Sequence, residues 1–138
     1  MSNEIAVAQY MVREPFGAVL EAILEALEGS GLRLAARMDM SARIERALGI
    51  TLPPCSVLFV LPRNVRQVTS GIDASAATFF PMHVVISACA GYTSVQVQGR
   101  VNDNSRTVPP DVLGPVIETQ RQIVEAIETV ATRASILV

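Results

Sequence analysis

One histidine, His83, and two cysteines, Cys55 and Cys89, stand in a chain of 138 residues. That inventory limits the chemistry before any fold is considered. A lone imidazole excludes a multi-histidine metal site, and as a general base His83 would need a nucleophile and an orienting carboxylate that no spacing here supplies. It follows Pro81-Met82 and reads as a structural histidine at a strand start. Neither Cys-x-x-Cys nor His-x-x-x-His occurs, so no metal or cofactor is indicated. The two cysteines lie far apart inside apolar stretches, where reduced thiols act as small hydrophobes and a disulfide is not expected. Cys89 sits between Ala88 and Ala90 with no cation beside it to activate the thiol, so it reads as buried and inert.

All eleven basic residues are arginine. With no lysine the chain has no Schiff-base nucleophile and no phosphate-binding P-loop lysine. Gly29, Gly31, Gly49, Gly71 and Gly91 each fall at an element end, and no Gly-x-Gly-x-x-Gly fingerprint accompanies them. Glu118, Glu125 and Glu128 read as the solvated side of a helix. What remains is a set of polar residues expected near strand ends beside apolar surface: Tyr10, Arg37, Asp39, Arg63, Asn64 and His83. A small apolar or anionic ligand beside Arg37, Arg63 and His83 is the binding chemistry these residues suggest.

The elements that must position them follow from periodicity. Ile5 to Val12 alternates as a first strand. Pro15 then opens a helix whose Phe16, Val19, Leu20, Ile23, Leu24 and Leu27 form one stripe, ended by Gly29-Ser30-Gly31. Leu32 to Met38 is a second strand, with Leu32, Leu34 and Ala36 on one face and Arg33, Ala35 and Arg37 on the other. Ser41 is placed to cap a short helix with Ile44, Ala47 and Leu48 inward and Gly49 as its stop. Ser56 to Leu61 and Met82 to Ala90 are apolar on both sides, the pattern of central strands covered above and below by a short helix or another subunit. A short helix is expected over Arg63 to Ser70. Gly91 turns a hairpin into Tyr92 to Val101, where Thr93, Val95 and Val97 alternate with Ser94, Gln96 and Gln98. Pro109-Pro110 and Gly114-Pro115 punctuate the approach to a last helix with Val116, Ile117, Gln120, Ile123, Val124, Ile127, Val130 and Ala131 on its stripe. Ser135 to Val138 is an apolar tail.

The expected class is therefore α+β: one domain over 1–138, a mainly antiparallel five-stranded sheet with helices packed on one face, in the order β-α-β-α-β-α-β-β-α. Apolar residues make up 50% of the chain and charged residues only 17%, against about 25% in a typical soluble domain. So low a charge content predicts apolar surface left over for a partner, and hence a homodimer. Net charge is −2 and aromatics are 4%, which disfavours nucleic acid. No apolar run nears the roughly 18 residues a membrane span needs, and Met1-Ser2-Asn3-Glu4 lacks a basic signal start, so no membrane is expected and the chain reads as cytoplasmic.

Several packing motifs carry a resemblance. Phe16-Gly17-Ala18-Val19-Leu20 leads to Gly31-Leu32, and Met38-Asp39-Met40 precedes the short helix. Leu48-Gly49-Ile50, Val57-Leu58-Phe59 ending at Pro62, and Phe80-Pro81 opening the strand to Ala90 complete the set. In these, from about Ala6 to Ala134, the chain resembles the bacterial and archaeal family known as domain of unknown function 302. The resemblance implies a helix-flanked antiparallel sheet of the TATA-box-binding-protein-like class and no activity. It also implies, in many relatives, a cysteine and an asparagine before the proline matching Pro62 and a cysteine after the one matching Pro81; Val60, Leu61 and Met82 stand there here. The functional expectation is a non-catalytic homodimeric binding or interaction module with a small-ligand pocket. Its alternative is an enzyme or redox accessory linked to sulfur metabolism.

Overall fold

The computed structural model describes residues 5–63, 82–99 and 110–136. Five strands, β1 (Ile5–Val12), β2 (Arg33–Asp39), β3 (Cys55–Leu61), β4 (Met82–Cys89) and β5 (Tyr92–Gly99), form one sheet in the order β1-β5-β4-β3-β2, and every neighbouring pair is antiparallel. Among the described residues three helices accompany it: α1 (Phe16–Gly29), α2 (Met40–Leu48) and α3 (Pro110–Ile136). The α+β class, the antiparallel sheet and the late hairpin are as the periodicity predicts. The short helix expected after Arg63, its following loop, and Asn64 lie outside the described residues.

One core sits between the sheet and the pair α1 and α3. Leu58, Val60, Val84, Ile86, Val95 and Val97 from the three inner strands meet Val19, Ile23 and Leu27 of α1 and Val116, Ile123 and Ile127 of α3. Alternation with period two sends these strand residues to one face, and the helical stripes supply the other layer. β3 and β4 are thus one-sided in burial. Ser56, Leu58 and Val60 are buried while Cys55, Val57, Phe59 and Leu61 are half-buried. Within the single chain the helix layer covers the first face of these strands, and the second face is partly exposed.

Four local expectations change as well. In β2 the register shifts between Leu34 and Ala36, so Leu34 pairs with buried Val60 while Ala36 pairs with Phe59 on the second face. A bulge inverts alternation in this way, which periodicity alone does not reveal. Asp39, not Ser41, caps α2, because its Oδ1 accepts from Ala42 N at 3.0 Å and from Ser41 Oγ at 2.7 Å. The inward face expected for α2 is not buried: Ala47 is exposed and Leu48 is 68% exposed. Finally, α3 begins at Pro110 and runs through Pro115. Pro115 is the sixth helical residue, past the first four whose N–H groups lack intrahelical partners, so it removes one backbone bond from the helix itself.

α1 closes as its glycines suggest. Leu32 N donates to Leu27 O at 3.1 Å and Gly31 N to Glu28 O at 2.9 Å, with Gly31 at φ +83°. That geometry leaves Leu32 buried beneath the helix end.

Candidate functional site

Tyr10 lies on β1 opposite Val95, facing α3, and its hydroxyl donates to Glu128 Oε2 at 3.0 Å. Partial burial, then the bond to and the charge of Glu128, push the phenol up to about 12. At the far end of β2, Asp39 is fully exposed, and its bonds from Ser41 and the Ala42 amide hold its carboxyl below the usual range. Arg37, on β2, pairs with Leu58 and is exposed. Arg63 reaches back to α1, where its guanidinium donates to Ser30 O through Nε, at 3.0 Å, and Nη2. It lies so close that a Cβ on Gly31 would stand 2.8 Å from Nε. A cation at a helix C-terminus also complements the partial negative charge there. Three of the candidates therefore tie the domain's own elements together: β1 to α3, β2 to α2, and the end of β3 to α1.

His83 is different. It is exposed on β4, opposite Phe59, and the two rings meet edge to face at 4.9 Å and 78°. Its neighbours are on the second sheet face, whereas Tyr10 points to the helix layer. Asp39 and Arg63 stand at opposite ends of the β2–β3 pair, since Asp39 aligns with Ser56 and Arg33 with Leu61. The five described candidates are spread over the domain.

Among the described residues, two cavities form elsewhere. One of about 280 Å³ opens where α1 leaves β2 uncovered, lined by Leu24, Leu27, Leu32, Leu34 and Val60 with Glu28 and Arg33 at its rim. The other, about 360 Å³, lies between the β4–β5 turn and the start of α1, with Arg13, Glu14, Cys89 and Tyr92 among its walls. None of Tyr10, Arg37, Asp39, Arg63 and His83 lines either of them. Cys89 corrects an expectation: it is exposed, not buried, because β4 ends there and the chain turns at Ala90-Gly91. Its hydrogen bond with Tyr92, directly opposite in the hairpin, raises that phenol. Position at a strand end was the signal available in the sequence, and the flanking alanines masked it.

The comparisons with known proteins bear on the whole domain. The family described as Domain of unknown function DUF302 matches residues 8–130. The chain belongs to this family. Its fold is also that of a crystal structure of an uncharacterized conserved DUF302 protein from Bacillus stearothermophilus, with a TM-score of 0.68 at 13% identity, covering 93% of this chain and 98% of that one. No curated protein matches. Within the DUF302 frame the replaced positions gain a meaning. Val60 and Met82, where the resemblance implies cysteines in many relatives, are register partners and are 0% and 3% exposed. This member fills that place with an apolar pair.

The second sheet face is the largest feature the polar candidates did not point to. Cross-strand partners share a face, so Met38, Val57, Phe59, Leu61, His83, Val85, Ser87, Ser94, Gln96, Gln9 and Met11 all lie on it. Arg33, the partner of Leu61, shares this face at the β2 edge, and across the other eleven side chains there is no carboxylate and no arginine. Met11 is 69% exposed.

Proposed function

We propose that this DUF302 domain is a non-catalytic interaction module that works as a homodimer, two copies packing through their second sheet faces. The observation that carries the reading is that face, which is aliphatic over β3 and β4 and, among its described side chains, carries a formal charge only at Arg33 on the edge strand β2. A charge-depleted centre is what distinguishes the core of a protein interface. Because its one cation stands at the β2 edge, the aliphatic centre of the patch meets a second copy without like-charge repulsion. Five strands about 4.8 Å apart, with about seven residues at 3.3 Å each, span roughly 20 by 23 Å, near the lower end of what specific dimers bury per partner once surface relief is counted.

Native mass spectrometry with light scattering tests it. Wild-type protein at tens of micromolar runs at twice 14.8 kDa. Val85→Glu or Val57→Glu, each placing a carboxylate in the patch, runs at the single mass with an unchanged far-ultraviolet spectrum. A wild-type chain of single mass sinks the proposal.

A second reading, a thiol-based accessory protein, is favoured by the exposure of Cys89 in a cavity that Arg13 also lines. Alkylation kinetics decide it: a native Cys89 that reacts no faster than a small free thiol removes this reading.

A further inference from the structure

α1 and α3 seal the inner strands on the first face and leave its β2 edge open. Leu34 shows the gap: it is the register partner of Val60, which is 0% exposed, yet is itself 45% exposed. The space left is the cavity of about 280 Å³, with Leu24 and Leu27 of α1 on one side, Leu32 and Leu34 on the other and Val60 beneath. Its aliphatic walls offer water nothing to bond, and an apolar cavity of about 150 Å³ takes up benzene instead. One of about 280 Å³ holds a body of roughly ten non-hydrogen atoms. The charge at its mouth has one sign. Glu28 stands one turn beyond Leu24 and lines the same cavity, and among the described residues its carboxylate has no partner. α1 carries Glu21, Glu25 and Glu28 and no cation. Arg33 borders the cavity as the residue between Leu32 and Leu34, but its register with Leu61 sends its side chain to the second face, and Arg63 donates to Ser30 O.

We infer that this cavity binds a small hydrophobic amine, its apolar body between α1 and β2 and its ammonium group beside Glu28. The site lies on the helix side of the sheet, away from the proposed dimer face, and does not depend on the dimer. An ammonium at the mouth keeps part of its hydration and gains a carboxylate neighbour; a carboxylate there meets like charge, and an alcohol gains neither. Among ligands that share one body, the head group therefore decides affinity.

The test is isothermal titration calorimetry at neutral pH with 2-phenylethylamine, 2-phenylethanol and phenylacetate, which share a ring and differ in the charge of the head. The amine is expected to bind about threefold more tightly than the alcohol, the scale of an exposed ion pair, and phenylacetate more weakly than either. Glu28→Gln is expected to bring the amine to the affinity of the alcohol. Leu34→Trp and, from the facing wall, Leu24→Trp each fill the cavity and are expected to abolish binding of all three, with circular dichroism identifying the variants that fold. An amine that does not bind saturably overturns the site, and so does binding that survives either tryptophan in a folded chain. Equal affinities for the amine and phenylacetate, or a Glu28→Gln chain that binds the amine as the wild type does, overturn the assignment to amines.

Discussion

The two faces of the sheet are built from the same strands and nearly the same residue types, yet they differ in what they do. On the first face Leu58, Val60, Val84, Ile86, Val95 and Val97 are all 0% exposed, sealed by α1 and α3. On the second, Val57, Phe59, Leu61 and Val85 are half-buried and His83 is exposed. Aliphatic content alone did not separate them. The helix layer did, because two amphipathic helices placed on one side satisfy only one parity of each strand. The first face therefore holds the core of the domain, and the second is partly exposed.

The sharpest break of that comparison is to truncate neighbouring residues of β4. Ile86→Ala, on the first face, is expected to lose about 3 kcal/mol in urea denaturation, since it removes side-chain volume from a fully buried site. Val85→Ala, one residue away on the second face, is expected to lose under about 1 kcal/mol when measured on separated chains. Equal losses would mean that the two faces are equally sealed.

A smaller effect tests how well the first face is packed. Gln120 of α3 is buried, at 8% exposed, and its Nε2 has no hydrogen-bond partner. An amide donor left unpaired in a core costs free energy that an apolar group of similar size does not. Gln120→Leu is expected to raise the unfolding free energy by about 1 kcal/mol. A loss instead would show that the amide has a partner in solution.

The smallest effect lies at the rim, where β1 meets α3. Because the Tyr10 phenol is raised to about 12 in the folded chain, it contributes stability that is fully present below the ordinary tyrosine range near pH 10 and is lost as the pH climbs through the folded value. The group is largely exposed, so the contribution is screened and small. Tyr10→Phe is expected to cost about 0.5 kcal/mol at pH 8 and less at pH 11, read from paired urea curves. A gap that widens with pH would contradict the bond to Glu128.

The elements were largely legible. Val19, Ile23 and Leu27 declare α1 by spacing, and Thr93, Val95 and Val97 declare β5 by alternation, because each pattern is local and only one secondary structure places those residues on one side. The family was legible too, from packing motifs such as Leu48-Gly49-Ile50 and Val57-Leu58-Phe59. The polar candidates were less so. Tyr10, Asp39 and Arg63 have the types and strand-end positions of a binding site, but each bonds to a partner 118, 3 and 33 residues away, on another element. Polar residues at strand ends serve element junctions as readily as ligands, and only the partner distinguishes the two.

By itself, the order of residues determined the class of fold, the strands and long helices, the absence of lysine chemistry and the aliphatic character of β3 and β4. Tertiary structure alone decided which side of those strands is sealed, that the β2 bulge carries Ala36 to the second face, and that Cys89 comes out at a turn. The reason is one of range. Periodicity is a property of a few consecutive residues, whereas burial depends on which distant helix settles over which face, and nothing in a single strand records that.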